Sequence, residues 1–444
     1  MRKVKSLTEG KIGKHLISLA LPILGSSFVQ MIYNFTDMAW LGRINNQAAA
    51  AVGAVSLFAW LANSFFLITK VGSEVSVAHA IGKKDQAEGA TFASQSSSLA
   101  LLLGIGVALL FIFAAPLLLS VYSLESHIAH LSVSYMNIIG LGIPLIACSA
   151  SFTGTYNAIG HSRVPFIISS IGLVANMVLD PLFIFVFNWG VQGAGAATVV
   201  SQAIVYLLFL RQIKVKDKIL NNFSILQPLQ STFVSRLLYI GVPVALLNCC
   251  FAIINMLMGR IASQQNGHIG LLTLTTGGQL EGITWYTAQG FATALSAFVS
   301  QNYGGNRTDR VIKAVQYTLR IGIAFGLAST LFYYFGGKFL FQLIVPDAKA
   351  YLAGADYLRI NAYSQLFMMM ELCSQGLFYG LRKSHIPAVI SIGGNILRLI
   401  LAYVVLAISP GILTLWWIIS VSTMLKGAIA LGFLTYQTHK LQQQ

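Results

Sequence analysis

The sequence predicts an all-α integral membrane protein, with twelve transmembrane helices in two pseudo-symmetric six-helix bundles. Three observations carry that prediction. The 444 residues are 56% hydrophobic and only 9% charged, where a soluble domain carries about 25% charged residues. The apolar stretches are continuous and long enough to cross a bilayer as helices, unlike the short alternating strands of a barrel. Landmarks in the first half of the chain also recur, in order, in the second.

Twelve spans are expected near 15–40, 49–80, 92–122, 129–158, 163–187, 192–213, 234–262, 269–301, 313–342, 350–380, 385–408 and 411–437. Several exceed the length needed to cross, so tilt or extension beyond the bilayer is expected. The N-terminus is basic (Arg2, Lys3, Lys5, Lys11, Lys14), and so is every second connection after it. Those connections hold Lys83 and Lys84, then Arg163, then Arg211, Lys214, Lys216 and Lys218. The series continues with Arg307, Arg310 and Lys313, with Arg382 and Lys383, and with Lys440, while the intervening loops hold little beyond Arg43 and Lys349. By the positive-inside rule both termini are cytoplasmic, in a multi-pass protein of the cell membrane. Basic residues scattered between spans account for the net charge of +15, which argues against a nucleic-acid partner. The chain is expected to act as a monomer in the lipid bilayer. Cys148, Cys249, Cys250 and Cys373 lie in apolar segments without metal-like spacing and read as small packing residues.

The longest polar connection, 212–235, divides the chain into an N-terminal bundle (1–211) and a C-terminal bundle (236–444). Gly82 and Gly304 open matching loops, and Pro165 matches Pro387, both pairs at an offset of 222 (304 − 82, 387 − 165). Pro22 matches Pro243 at an offset of 221. A six-span unit repeated in the same orientation implies bundles related by an axis along the membrane normal.

Charge at membrane depth marks the candidate chemistry, because it is costly there and needs a polar cavity or a partner. In the first span Gln30, Tyr33, Asn34 and Asp37 follow at spacings of three and four, so they form one polar stripe. Pro22 predisposes that helix to bend. In the fifth span Asn176 and Asp180 lie one turn apart. The repeat replaces Asn176 and Asp180 by Arg398 and Ala402, and Asp37 by Met258. Two buried carboxylates with oxygen donors nearby, here Thr198 and Tyr135, can bind a hard monovalent cation or exchange a proton. The second bundle has Glu281, Glu371 and Arg398 for substrate or proton handling, with one acid expected to neutralise Arg398 as a structural ion pair. Trp285, Tyr286, Phe367 and Met368–Met370 are a candidate soft wall. Lys70 and Glu74, at i and i+4, are expected to neutralise each other.

Enzyme chemistry finds no support: there is no H-E-x-x-H, Walker A, flavin or nicotinamide motif. No cofactor is expected, and any pumping must draw on a sodium, proton or substrate gradient. A membrane-embedded enzyme would need a nucleophile–base or metal constellation that these acids do not form.

Leu-Ala-Leu-Pro22, followed by Gln30-x-x-Tyr33-Asn34-x-x-Asp37-x-x-x-x-Gly42-Arg43, resembles the opening of the multidrug and toxic compound extrusion (MATE) family. Asn176-x-x-x-Asp180-Pro181 and the six-plus-six repeat agree with it, across essentially the whole chain. The family belongs to the multidrug/oligosaccharidyl-lipid/polysaccharide flippase superfamily. The resemblance implies a sodium- or proton-coupled antiporter that exports small organic, often cationic, compounds by alternating access. It also implies a cation site at Asp37, Asn176, Asp180 and Thr198, with Tyr135 nearby. The alternative is a flippase for lipid-linked sugars. Such proteins tend to have cationic cavities, against which the carboxylate-rich first bundle argues.

Overall fold

A computed structural model describes residues 6–44, 46–122, 124–217, 223–345 and 347–443, without the side chains of 34, 35, 38, 39, 42, 46 and 215–217. Arg2, Lys3, Lys5 and Lys218, and the side chains of Asn34 and Lys216, thus lie outside the described residues. The helices in chain order are α1 (Ile12–Ile44), α2 (Asn46–Gly82), α3 (Gln86–Phe113), α4 (Ala115–Leu119), α5 (Ser126–Ala158), α6 (Arg163–Pro181) and α7 (Gly190–Arg211). They continue with α8 (Ser231–Gly304), α9 (Thr308–Ile344), α10 (Ala348–Ala362), α11 (Gln365–Gly380), α12 (His385–Ile408) and α13 (Ile412–Gln442).

Among the described residues, ten helices are long and apolar enough to cross a bilayer. The 74-residue α8 holds two passages, because its backbone leaves helical geometry at Asn266 and Gly267. Gly267 sits at φ 55°, ψ −145°, a region in which a Cβ would clash. Helices α10 and α11, in succession, supply one more stretch of that length, which makes twelve candidate passages among the described residues.

Two expected spans are interrupted. The tenth breaks at Tyr363 and Ser364, where Ser364 Oγ (2.8 Å) and Gln365 Nε2 (3.2 Å) both donate to the Asn361 carbonyl. Side chains thereby compete with the backbone for an acceptor that a continuous helix would use. The third stops at Phe113, and Pro116, which has no N–H to give, sits in the first turn of the short α4. The 212–235 connection also proves partly structured. Its first residues, Gln212–Asp217, continue α7 as a π-helical turn. Further on, Ser224 and Gln227 donate backbone N–H groups to Ser94 Oγ (2.9 Å) and Ser98 Oγ (2.8 Å) of α3. Gln95 clasps the same strand at both ends of its amide, donating to Pro228 O and accepting from Gln230 N, each at 2.9 Å.

The chain forms two compact units, one built on Ile17–Ala245 and the other on Leu246 onward with Lys11–Leu16. Both carry the same turns. Backbone at Lys84 (φ 65°) and Asn306 (φ 55°), and at Gly160 (φ 80°) and Arg382 (φ 60°), is left-handed at positions 222 apart (306 − 84, 382 − 160). Each closes a helix with the same paired bonds: Asp85 N to Ala80 O (3.0 Å) recurs as Arg307 N to Asn302 O (2.8 Å). His161 N to Tyr156 O (2.9 Å) recurs as Lys383 N to Phe378 O (2.8 Å). These 6→1 bonds satisfy carbonyls that a helix end leaves open.

The close helix contacts repeat as well. A Cβ on Gly154 would stand 2.1 Å from the Lys70 carbonyl oxygen, and one on Gly376 would stand 2.5 Å from that of Ala292. Hydroxyls add to this small-residue packing: Ser96 Oγ donates to Thr69 O (3.0 Å), and Ser73 bonds Thr155 (2.7 Å). In lipid, such close approach and interhelical hydrogen bonding replace the hydrophobic drive. Gly154→Val and Gly376→Val are each expected to lower stability by about 1–3 kcal/mol, the usual scale of overpacking. Gly106→Ala, where no atom lies within 4 Å, should be neutral or stabilising. Thermal unfolding of the purified protein checks all three.

Candidate cation and substrate sites

Helix α1 runs unbroken through Pro22, and Ser26 Oγ donates back to the Pro22 carbonyl at 3.1 Å. One turn separates Tyr33 and Asp37 further along. Asn176 and Asp180 occupy the last turns of α6, just before Pro181 and a π-helical segment, Leu182–Val186. Such a local underwinding re-aims the residues beside it and recurs at functional sites. Thr198 lies on α7 and Tyr135 on α5.

In this unit the Asp37 and Asp180 carboxyl groups face one another within hydrogen-bonding reach, with Asn176 in reach of both. Asn176 Nδ2 donates to Asp180 Oδ1 at 3.1 Å. Tyr33 shares a 2.9 Å hydrogen bond with Ser201 Oγ, and Ser201 donates to the Thr198 carbonyl at 2.8 Å. Tyr135, also buried, lies in the field of both carboxyl groups. Gln30, on the same helix, is exposed.

Four buried oxygens here have no hydrogen-bond partner: Asp37 Oδ1, Asn176 Oδ1, Asp180 Oδ2 and Thr198 Oγ1. They come from three helices and are all hard donors. No lysine or arginine forms an ion pair with either carboxylate among the described residues. Orphaned oxygens at membrane depth are costly, and two carboxylates that close cannot both stay ionised without a cation. The donor set fits a hard monovalent ion or a proton. Among the described residues no group of three or more His, Cys, Asp or Glu side chains gathers as a metal cluster. The four cysteines are free.

The second unit pairs its charges differently from the sequence expectation. Among the described residues no acid lies within ion-pairing distance of Arg398, which sits in the field of Glu371 and Glu281. Its Nε donates to Ser422 Oγ (2.8 Å) and its Nη2 to Thr423 Oγ1 (2.7 Å). The buried ion pair joins Glu371 to Lys426 at 3.3 Å, and Ser391 Oγ donates to the other Glu371 oxygen at 2.5 Å. A Cβ on Gly394 would meet Lys426 Cγ at 2.2 Å, so that glycine makes room for the lysine stem. Glu281 instead accepts from two neutral donors, Tyr357 OH (2.7 Å) and Gln365 Nε2 (2.8 Å), beside the break between α10 and α11. Met369 and Met370 are buried in a small core with Ala288, Ala292 and Leu372, against which the partly buried Trp285 and Met368 pack. In the first unit Glu74 accepts from Asn157 Nδ2 (3.3 Å) and lies in the field of Lys70.

Sequence reasoning missed Ser201 and Lys426. Ser201 follows Thr198 by one turn, a signal that was available. Lys426 was visible as a cation in the middle of the 31-residue α13, but its partner lies on another helix.

The sequence profile of the MatE family matches residues 22–182 and 243–404, one stretch in each half. The chain is 24% identical over 376 residues to a probable multidrug resistance protein, YpnP, of Bacillus subtilis, covering 84% of each. It is 23% identical to a probable multidrug resistance protein, NorM, of Thermotoga maritima, covering 86% of this chain and 82% of that one. Among solved structures, it resembles a MOP-superfamily transporter from Pyrococcus furiosus with TM-score 0.93 and 20% identity, covering 100% of both chains. These matches span the membrane fold and both repeats, and from them the chain belongs to the MatE family, the multidrug and toxic compound extrusion transporters, which are secondary active exporters rather than enzymes.

Proposed function

We propose that this protein is a sodium- or proton-coupled antiporter that exports organic, cationic compounds by alternating access of its two six-span bundles. In this reading residues 1–211 and 236–444 are the bundles, 212–235 joins them, both termini are cytoplasmic, and one chain is the working unit in the cell membrane. The observation that carries the coupling site is the approach of Asp37, Asn176 and Asp180, each with a buried oxygen left without a hydrogen bond, with Thr198 beside the neighbouring Tyr33.

The chemistry follows from charge. Loss of the cation from the site leaves two facing carboxylates, which repel each other and attract any other cation. Sodium or a proton removes charge, and a cationic substrate competes for what remains. Differential affinity of that kind shifts a two-state equilibrium, which antiport requires. Tyr33 and Ser201 hold the α1 side of the site against α7, with Tyr135 in the field of both carboxyl groups. Gln30 and Asn34, of the polar stripe read from the sequence, are assigned to substrate handling. In the second bundle Glu371 is assigned a structural role through Lys426. Glu281 and Arg398, bonded only to neutral side chains, are left for substrate or proton handling.

Asp37→Asn and Asp180→Asn preserve shape and remove one charge each. Both are expected to abolish export driven by an imposed ion gradient in proteoliposomes, with expression and thermal stability retained. Thr198→Ala removes a neutral oxygen only and should weaken cation dependence roughly fivefold, the scale of one hydrogen-bonding group. Asp37→Asn that still concentrates substrate with unchanged ion dependence would overturn the assignment. In the second bundle, Lys426→Met leaves Glu371 buried and uncompensated and should cost about 3–5 kcal/mol. Adding Glu371→Gln should recover most of that loss, whereas Glu281→Gln should alter transport with little change in stability. Thermal unfolding and uptake by the same preparations separate the two acids.

A further inference from the structure

The second unit presents a cation on an apolar outer surface. Arg359 is exposed on α10, and on the same face Tyr363, just past the end of that helix, is 44% exposed. Trp417 of α13, on one side, is 46% exposed, and Phe335 of α9, on the other, is 77% exposed. Surroundings of this kind meet lipid, where a charge without a counter-ion is costly. Among the described residues no carboxylate lies within ion-pairing distance of Arg359. Asp356, one turn back on α10, acts on it only through the longer-range field.

The arginine is nonetheless held in place. Its Nη2 donates to Tyr334 OH at 3.0 Å, and its guanidinium carbon lies 4.8 Å from the Tyr334 ring centroid. Tyr363 meets Tyr334 edge-on at 5.8 Å and stacks on Trp417 at 5.9 Å with an interplanar angle of 19°. Three helices thus fix one guanidinium and two phenol hydroxyls in an aromatic cradle. Trp417 is the sixth residue of α13, about 8 Å of helix from the end remote from the C-terminus. Tryptophan favours that depth, near the headgroups. Arg359, the twelfth residue of α10, and Tyr334, the eleventh from the end of α9, lie deeper, from where a long arginine side chain reaches toward the interface.

We infer that Arg359, Tyr334, Tyr363 and Trp417 form a binding site for the phosphate of a phospholipid in the leaflet opposite the termini. The planar guanidinium can offer its remaining N–H groups to phosphate oxygens. The tyrosine hydroxyls supply further polar contacts, and the exposed aromatic and aliphatic flanks take the acyl chains. A bound phosphate provides the counter-charge that the protein does not place within pairing distance. This site is separate from the coupling site and does not depend on which ion drives export.

Native mass spectrometry of the full-length protein, titrated with phosphatidylglycerol or with a diacylglycerol of the same acyl chains, tests the inference. The unaltered protein should retain phosphatidylglycerol in preference, and Arg359→Gln should lower its retention roughly ten- to hundredfold, as for loss of one charge-assisted contact. Arg359→Lys should keep part of the preference. Tyr334→Phe, a milder change that leaves the charge in place, should lower retention a few-fold. Asp356→Asn, which removes the nearby negative charge, should raise it. Equal retention of both lipids by the unaltered protein would mean an apolar groove without phosphate recognition. Equal phosphatidylglycerol retention by Arg359→Gln would place the phosphate elsewhere, and either result overturns the site.

Discussion

Two carboxyl groups that face each other inside a bundle of apolar helices set the terms for the rest of this structure. Asp37 and Asp180 have no basic partner at pairing distance among the described residues, and four oxygens around them lack hydrogen bonds. A protein interior tolerates that arrangement only if something charged arrives from outside or the groups take up protons. The second unit shows the contrasting solution. There the buried carboxylate of Glu371 has Lys426 at 3.3 Å and a serine hydroxyl besides. One acid is satisfied by the fold itself, while the other two have no basic partner within the described residues.

The duplication separates scaffold from chemistry. Left-handed turn residues, the bonds that close the helices and the tight glycine contacts recur 222 residues apart (306 − 84, 376 − 154). They recur because every unit of this kind must end its helices and bring them close, whatever it carries. The charged residues at membrane depth do not recur. Where the first unit has Asn176 and Asp180, the second has Arg398 and Ala402, and Met258, the counterpart of Asp37, is buried as a hydrophobe. A fold that fixes backbone geometry twice and leaves side-chain charge free to differ can hold an ion on one side and a structural ion pair on the other.

Legibility in the sequence followed the range of the cause. The matching loops announced themselves through glycine, proline and short polar runs, and each proved to be a turn whose hydrogen bonds close within six residues. Asp37, Asn176 and Asp180 stood out because charge and amide groups are rare at membrane depth, and the fold brings these three together, with Thr198 beside Tyr33. Partners across helices were not legible. Nothing in the spacing of Glu371 or Arg398 selects Lys426 over the other as its mate, since pairing depends on which helix faces touch. The break between α10 and α11 was hidden for a similar reason. It needs no proline, only Ser364 and Gln365 competing for one carbonyl.

That break also gives Glu281 its distinct character. A continuous tenth span would keep the Asn361 carbonyl within its own ladder and carry Gln365 further around the helix. The interruption instead lets Gln365, the first residue of α11, donate to one Glu281 oxygen while Tyr357, near the end of α10, donates to the other. The two half-helices are therefore tied together through a single carboxylate. Any change in the charge of that carboxylate, by proton or by a passing cation, alters how firmly it accepts from both, because hydrogen bonds to an ionised acceptor are roughly twice as strong as neutral ones. The geometry of the tenth span is thus set by local backbone competition but tensioned by one acid. In the first unit the equivalent helix, α5, runs continuously from Ser126 to Ala158 through Pro144, so that unit has no such tie. The two halves differ not only in where they carry charge, but in whether charge can act on the path of a helix.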